Sequence, residues 1–162
     1  MLPGGYPELH ADQLAGCHRS LAALRVAASS GMPILAECGG LLLLGRKLKD
    51  ASGGVHPMAG VLPFSAERGA LSLGYRVATV EQDGLLVRRG DQLVGHEFHR
   101  WQIQPAVAAS AGLWQLEGWG SPKQAEGWST PNLHASWLHL HWAGCPQTAW
   151  RLAAAAANAA TP

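Results

Sequence analysis

The chain has 162 residues, enough for one domain with a buried core. Its 12 Lys and Arg against 11 Asp and Glu leave a net charge of +1, which excludes a strongly basic nucleic-acid-binding surface. Charged residues are 14% against a usual ~25%, while an apolar share of 48% excludes a disordered chain and leaves a surface open to being covered by another protein.

In chain order, Pro3-Gly4-Gly5-Tyr6 forms a Gly-rich turn. Pro7 to about Ala28 reads as one helix with Leu14, Cys17, Leu21 and Leu24 as its apolar stripe, stopped by Ser29-Ser30-Gly31. Pro33-Ile34-Leu35-Ala36 reads as a short buried strand, Cys38-Gly39-Gly40 as a turn, and Leu41 to Lys49 as the next helix. These units predict a parallel α/β sheet. A Gly-rich turn normally follows a strand, yet only Met1 and Leu2 precede this one, so its strand and that strand's neighbours are expected to lie outside this sequence. Leu71 to Ile103 reads as a meander of short strands with turns at Asp83-Gly84 and Gly90-Asp91. Gly118 to Lys123 reads as a loop and Leu133 to Trp142 as one strand. Pro146 opens an alanine-rich last helix to Ala159. The longest strongly apolar run, Leu41 to Leu44, is far below the ~20 residues a bilayer span requires, so no membrane partner is expected. The first five residues lack the basic region and apolar core of a signal peptide, which makes the cytoplasm the expected compartment. Cys17, Cys38 and Cys145 form an odd set without metal-type spacing, so free thiols are expected rather than a disulfide framework.

Ala36-Glu37-Cys38-Gly39-Gly40 carries the strongest chemical signal. A nucleophile elbow needs small residues two before and two after the nucleophile, because the turn is sharp; Ala36 and Gly40 satisfy this. Cys38 at a helix N-terminus is expected to favour the reactive thiolate, and the Gly39 N–H to point where an oxyanion forms. A buried cysteine at an ordinary strand-to-helix turn satisfies the same pattern. The Gly4-Gly5 turn offers a second backbone donor, or is a plain turn. His139 and His141, two apart on the expected strand, share one face, and either is a candidate base for Cys38 or a hydrogen-bonded structural imidazole.

The segments LPGGYPELHA (2–11), PILAECGGLLLL (33–44), HPMAGVLP (56–63), LGYR (73–76), GHEFH (95–99) and NLHASWLHLHW (132–142) occur together in this order. They resemble the glutamine amidotransferase domain of the cobyrinic acid a,c-diamide synthase family, hydrogenobyrinic acid a,c-diamide synthases included. The resemblance implies a class I glutamine amidotransferase-like, flavodoxin-like α/β fold: a mostly parallel sheet with added antiparallel strands, its N-terminal strands missing, over residues 1–160. It also implies Cys38 as nucleophile, His139 as catalytic base, and backbone N–H groups of Gly5, Tyr6 and Gly39 as the oxyanion hole. Glutamine is then the substrate of this chain. A separate ATP-binding synthetase domain, absent here, is the implied partner; it uses ATP and Mg2+ and holds the corrin substrate whose a and c acetates receive the ammonia. No cofactor and no metal are expected in this chain, and because missing strands would expose sheet hydrogen-bonding groups, an isolated chain is expected to be poorly stable or to need a partner.

The pattern departs from many class I amidotransferases at position 141, where a histidine stands in place of the third-member glutamate. A Cys38/His139 dyad is one solution. Glu97 and His141 are candidates for a third member or a substrate contact, and His96, His99 and Arg100 for glutamine's charged end or a domain interface. No phosphate loop of the Gly-x-x-x-x-Gly-Lys type is present. Two other readings stay open: a metal-dependent hydrolase built on His134, His139, His141, His96 and His99, and a non-catalytic truncated subunit.

Overall fold

A computed structural model describes residues 1–105 and 112–159; residue 160, the end of the expected domain, lies outside them. The chain opens with a single-residue parallel bridge of Leu2 to Ala36, followed by a 3-10 turn at Pro7–Leu9. Two helices follow, α1 (Ala11–Gly16) and α2 (His18–Ser29). The single helix expected to about Ala28 is thus in three pieces. Its break falls at Cys17 (ψ 54°), which is exposed, so the stripe that packs inward is Ala11, Ala15 and Leu21.

Next come β1 (Ile34–Glu37), all four residues buried, and α3 (Gly39–Leu44), with Leu41, Leu42 and Leu44 buried. The helix expected to reach Lys49 stops at Leu44. The chain then forms β2 (Lys47–Lys49), with only Leu48 buried, and β3 (Val55–Pro57). Alternation of Lys and Leu suits an edge hairpin better than a helix face. The expected meander is one long antiparallel ribbon, β4 (Ser65–Val80) with β5 (Gln92–Gln104), extended by β6 (Trp114–Gly118) and β7 (Ser121–Glu126). Gly118 to Lys123 is a tight hairpin rather than a loop: Gly118 pairs with Ser121 across Trp119-Gly120, and Gly120 has the positive φ that such a turn requires.

The last strands are β8 (Trp128–Thr130), β9 (Leu133–Ser136) and β10 (His139–Leu140), followed by α4 (Pro146–Ala159). β9 lies beside β1 in parallel, Ala36 against Ala135, in a three-stranded sheet. β10 joins the second sheet, pairing with β5. The single strand expected over 133–142 therefore crosses from one sheet to the other at Trp137-Leu138. The fold is the mixed α/β type the resemblance implies, with one shift in balance. Parallel pairing among the described residues is confined to β1/β9, β2/β4 and the Leu2 bridge, and the antiparallel ribbon supplies most of the paired residues. The cause is local: β4 and β5 are long, consecutive in sequence and joined by the loop 81–91, so they pair antiparallel without a crossover helix.

Two apolar clusters hold these layers together. One gathers α3, β1 and β9 around Leu41, Leu44, Phe64 and Trp137; the other gathers β6, Leu86, Trp114 and Leu138 beneath α4. No helix among the described residues is long and apolar enough to cross a membrane.

Candidate active site

Cys38 sits between β1 and α3 with φ 47° and ψ −108°, and among the described residues it alone is a non-glycine with positive φ. Such a conformation costs a side-chain-bearing residue about 1–3 kcal/mol and persists only where neighbours impose it. They do so here. The Cys38 N–H donates to the Ser136 carbonyl at 2.8 Å, and the Glu37 N–H donates to the Leu2 carbonyl at 3.0 Å. Gly39 and Gly40 are glycines because the N-terminal turn runs directly over them. A Cβ on Gly39 would lie 2.7 Å from the Gly5 carbonyl carbon, and one on Gly40 would lie 2.7 Å from that of Leu2. The elbow and the Gly-rich turn are one packed unit, and small residues are its steric condition.

This unit forms one end of a cavity of about 160 Å³. Gly5, Tyr6, Cys38 and Gly39 line it, with Glu8 and Arg100 also on its wall. The space is small beside the ~300–1,000 Å³ of drug-sized ligand sites, so it suits an amino-acid side chain and excludes a macrocycle. The backbone segments expected to donate to an oxyanion therefore share a cavity with the candidate nucleophile.

The thiol itself corrects an expectation. Burial pushes the Cys38 thiol up to about 11; the Gly39 N–H pulls it down, but the carboxylates of Glu8, Glu37 and Glu97 raise it further. The helix end does not win, because α3 is only six residues long and the sulfur is buried. Cys38 thus rests as a thiol, its Sγ 3.8 Å from the Phe98 carbonyl, and its activation requires a base.

His139 is not part of that cavity lining; its ring abuts the same glycine turn. A Cβ on Gly4 would stand 3.4 Å from Nδ1 and 3.5 Å from Nε2 of the imidazole. A second link runs through their neighbours: burial raises the Glu37 carboxyl, and the nearby Leu140 backbone opposes the rise. His139 pairs with His96 across β10 and β5. Burial lowers its pKa, and His96 and His99 lower it further, so the imidazole is held neutral, the form that accepts a proton. Among the described residues no side chain hydrogen-bonds to its ring. Packing against Gly4, rather than an acid, sets its orientation.

The remaining candidates are distributed around this pair. His141 lies outside β10, exposed, ahead of the 3-10 turn Trp142–Gly144, so it does not share a strand face with His139 as expected. Glu97 is buried. Its Oε2 accepts from Arg76 Nε at 2.7 Å and Ser72 Oγ at 2.9 Å, and its Oε1 is 3.6 Å from His99 Nε2. Burial alone would raise the Glu97 carboxyl; His99, Ser72 and Arg76 outweigh it and hold it low. Adjacent strand residues face opposite ways, so Glu97 and His99 point inward while His96 shares the outer face with Tyr75. His99 lines the Cys38 cavity, stacks on Trp137 at 4.0 Å and pairs its Nδ1 with the Trp101 carbonyl.

The histidines do not gather into a metal centre. His134 is fully buried on β9 against the edge of Trp114, away from the exposed His141, and burial drives its pKa down to about 3. Among the described residues no three His, Cys, Asp or Glu side chains are placed to hold a metal ion. Sequence reasoning missed Glu37, Glu8 and Glu126. Glu37 stood inside the elbow motif, but nothing local marked its reach to Leu140.

Residues 1–146 match the model of the CobB/CobQ-like glutamine amidotransferase domain. The chain is 45% identical over 148 residues to a cobyrinate a,c-diamide synthase of Gloeobacter violaceus, covering 88% of this chain and 30% of that protein. It is 42% identical over 157 residues to a hydrogenobyrinate a,c-diamide synthase of Thermobifida fusca, covering 95% and 32%. A cobyrinate a,c-diamide synthase of Salmonella typhimurium is 39% identical over 149 residues, covering 90% and 32%. The chain thus spans about a third of the length of these relatives.

Proposed function

Because this chain belongs to the CobB/CobQ-like glutamine amidotransferase domain family, we propose that it is the glutaminase part of an ATP-dependent cobyrinate or hydrogenobyrinate a,c-diamide synthase of cobalamin biosynthesis. In this reading glutamine enters the Cys38 cavity side chain first. His139 takes the Sγ proton, and the sulfur attacks the amide carbon. The oxyanion that forms is met by the backbone N–H groups of Gly39 and of Gly5 or Tyr6. Collapse of the tetrahedral intermediate breaks the carbon–nitrogen bond, His139 returns its proton to the leaving nitrogen, and ammonia departs. A water, deprotonated by His139, then attacks the γ-glutamyl thioester; glutamate leaves and the thiol is restored.

Ammonia is consumed by an ATP-dependent partner, in the cytoplasm. There ATP and Mg2+ activate the a and c acetate carboxyls of the corrin as acyl phosphates, which ammonia converts to amides. The modest volume beside Cys38 supports keeping the macrocycle on the partner.

One observation carries the reading: a buried cysteine held at positive φ on a strand-to-helix turn, roofed by a Gly-Gly turn that also packs on a neutral histidine. The experiment is glutamate release from glutamine by the whole chain with its ATP-dependent partner, wild type against Cys38→Ala. A loss of about 10⁴-fold or more is expected on removing a nucleophile of this kind; equal rates end the proposal.

A further inference from the structure

Glu126 ends β7 as a carboxyl 4% exposed, and it forms no ion pair among the described residues. A carboxyl in a core without a cation persists only when donors satisfy its oxygens. Three do so here. Trp114 Nε1 donates to Oε2 at 2.7 Å, Ser136 Oγ donates to the same oxygen at 2.6 Å, and the Trp137 N–H donates to Oε1 at 3.1 Å. Burial raises this carboxyl, and the three donors oppose the rise.

Two of the three donors belong to the segment that joins both halves of the candidate site. The Ser136 carbonyl receives the Cys38 N–H at 2.8 Å, and thereby helps hold the elbow at positive φ. Ser136 Oγ, while donating to Glu126, accepts the Leu138 N–H at 2.9 Å. That bond turns the chain out of β9 and into β10, where the next residue is His139. Trp137, whose N–H is fixed by Oε1, carries the ring on which His99 stacks at the cavity wall. One carboxyl therefore sets the point where the chain changes sheets, between the acceptor of the nucleophile's N–H and the base.

We propose that Glu126 is a positioning residue for the Cys38–His139 pair, holding Ser136 and Trp137 so that the elbow and the start of β10 keep their mutual placement. Glu126 does not touch the reacting atoms, and its role rests on the glutaminase reading given above. Its removal is expected to lower kcat more than it weakens glutamine binding: Trp137 and His99 of the cavity wall are tied to Glu126, whereas Gly5, Tyr6, Glu8 and Arg100 share no hydrogen bond with it among the described residues.

The test is steady-state glutamate release by the whole chain with its ATP-dependent partner, for wild type, Glu126→Gln, Ser136→Ala and Cys38→Ala. Rates are normalised to the folded fraction of each protein measured by circular dichroism, so unfolded molecules do not count. A misplacement on the order of 1 Å costs about 100-fold in rate. The expectation is a fall of about 10- to 100-fold in normalised kcat for both Glu126→Gln and Ser136→Ala, with KM for glutamine changed less than about threefold. Normalised kcat within twofold of wild type in both variants overturns the inference. So does a loss that vanishes on normalisation, which marks a purely structural carboxyl. Full activity in Cys38→Ala overturns the glutaminase reading itself, whatever Glu126 does.

Discussion

The two halves of the candidate site are fixed by different means. Cys38 takes its turn from its own stretch of chain, β1 before it and two glycines after it, onto which the Leu2–Gly5 segment packs so closely that side chains at positions 39 and 40 would collide with backbone. His139 is fixed from a distance. Gly4, 135 residues earlier, packs on its ring; Glu126, through Ser136, directs the chain toward β10. A nucleophile held by local sterics leaves a compact sequence signature, whereas a base held by remote contacts leaves only a histidine. No side chain among the described residues hydrogen-bonds the ring of this candidate base; close packing against Gly4 restricts it instead.

Substitutions sharpen this contrast, the largest effects after the loss at Cys38 coming from the base. His139→Ala is expected to lower kcat for glutamate release by about 10²–10⁴-fold, the usual contribution of a general base, while diazoketone labelling of Cys38 slows in parallel. A decrease smaller than tenfold assigns the base elsewhere, with His99 on the cavity wall the next candidate.

Gly39→Ala follows. Its Cβ cannot be accommodated without moving the Gly5 peptide, so an oxyanion donor is displaced along with it. Kinetics of the variant are expected to show a kcat lower by about 10²–10³-fold; an unchanged kcat removes this turn from the oxyanion hole. Gly4→Ala acts on the other half alone. Its methyl group presses the His139 ring out of place, and a loss of about 10- to 100-fold is expected from misplacement, with circular dichroism unchanged. If Gly4→Ala retains full activity, packing does not orient the imidazole.

The smallest effect tests stability and separates a structural histidine from the catalytic one. His134 has its pKa lowered from an ordinary 6.5 to about 3 by burial. Unfolded chains therefore bind a proton that folded chains exclude between those values. Stability from keeping His134 neutral is present above about pH 6.5 and is lost as pH falls toward 3, at about 1.4 kcal/mol per unit at most. Urea melts at pH 7 and pH 5 are expected to show wild type losing more stability than His134→Leu over this interval. Parallel losses in both proteins mean the imidazole is already solvated in the native state.

Much of the elbow was legible in the amino-acid order, because Ala36, Gly39 and Gly40 state a steric requirement that few other turns share. The buried strand at Pro33–Ala36 and the helix from Pro146 were legible too, from an apolar run and from proline at a first turn. The histidine strand was not. Leu133 to Trp142 alternates as a single strand does, and only Glu126, ten residues from Ser136 and outside every motif, reveals why the chain leaves one sheet for another. Pro7 to Ala28 misled as well: the period is helical throughout, yet the backbone leaves the helix at Cys17, where ψ is 54°. Resting ionisation of Cys38 was also beyond sequence, since Glu8, Glu37 and Glu97 converge on it only in the folded chain.

The most direct test of the Cys38–His139 account is to trap the covalent step. Wild-type chain turning over glutamine with its partner is quenched in acid and digested, and the peptides are weighed. The account predicts a γ-glutamyl group on the peptide carrying Cys38, and none in a His139→Ala sample quenched at the same time. Glutamate release with no modification at Cys38, or with the group on Cys17 or Cys145 instead, contradicts it.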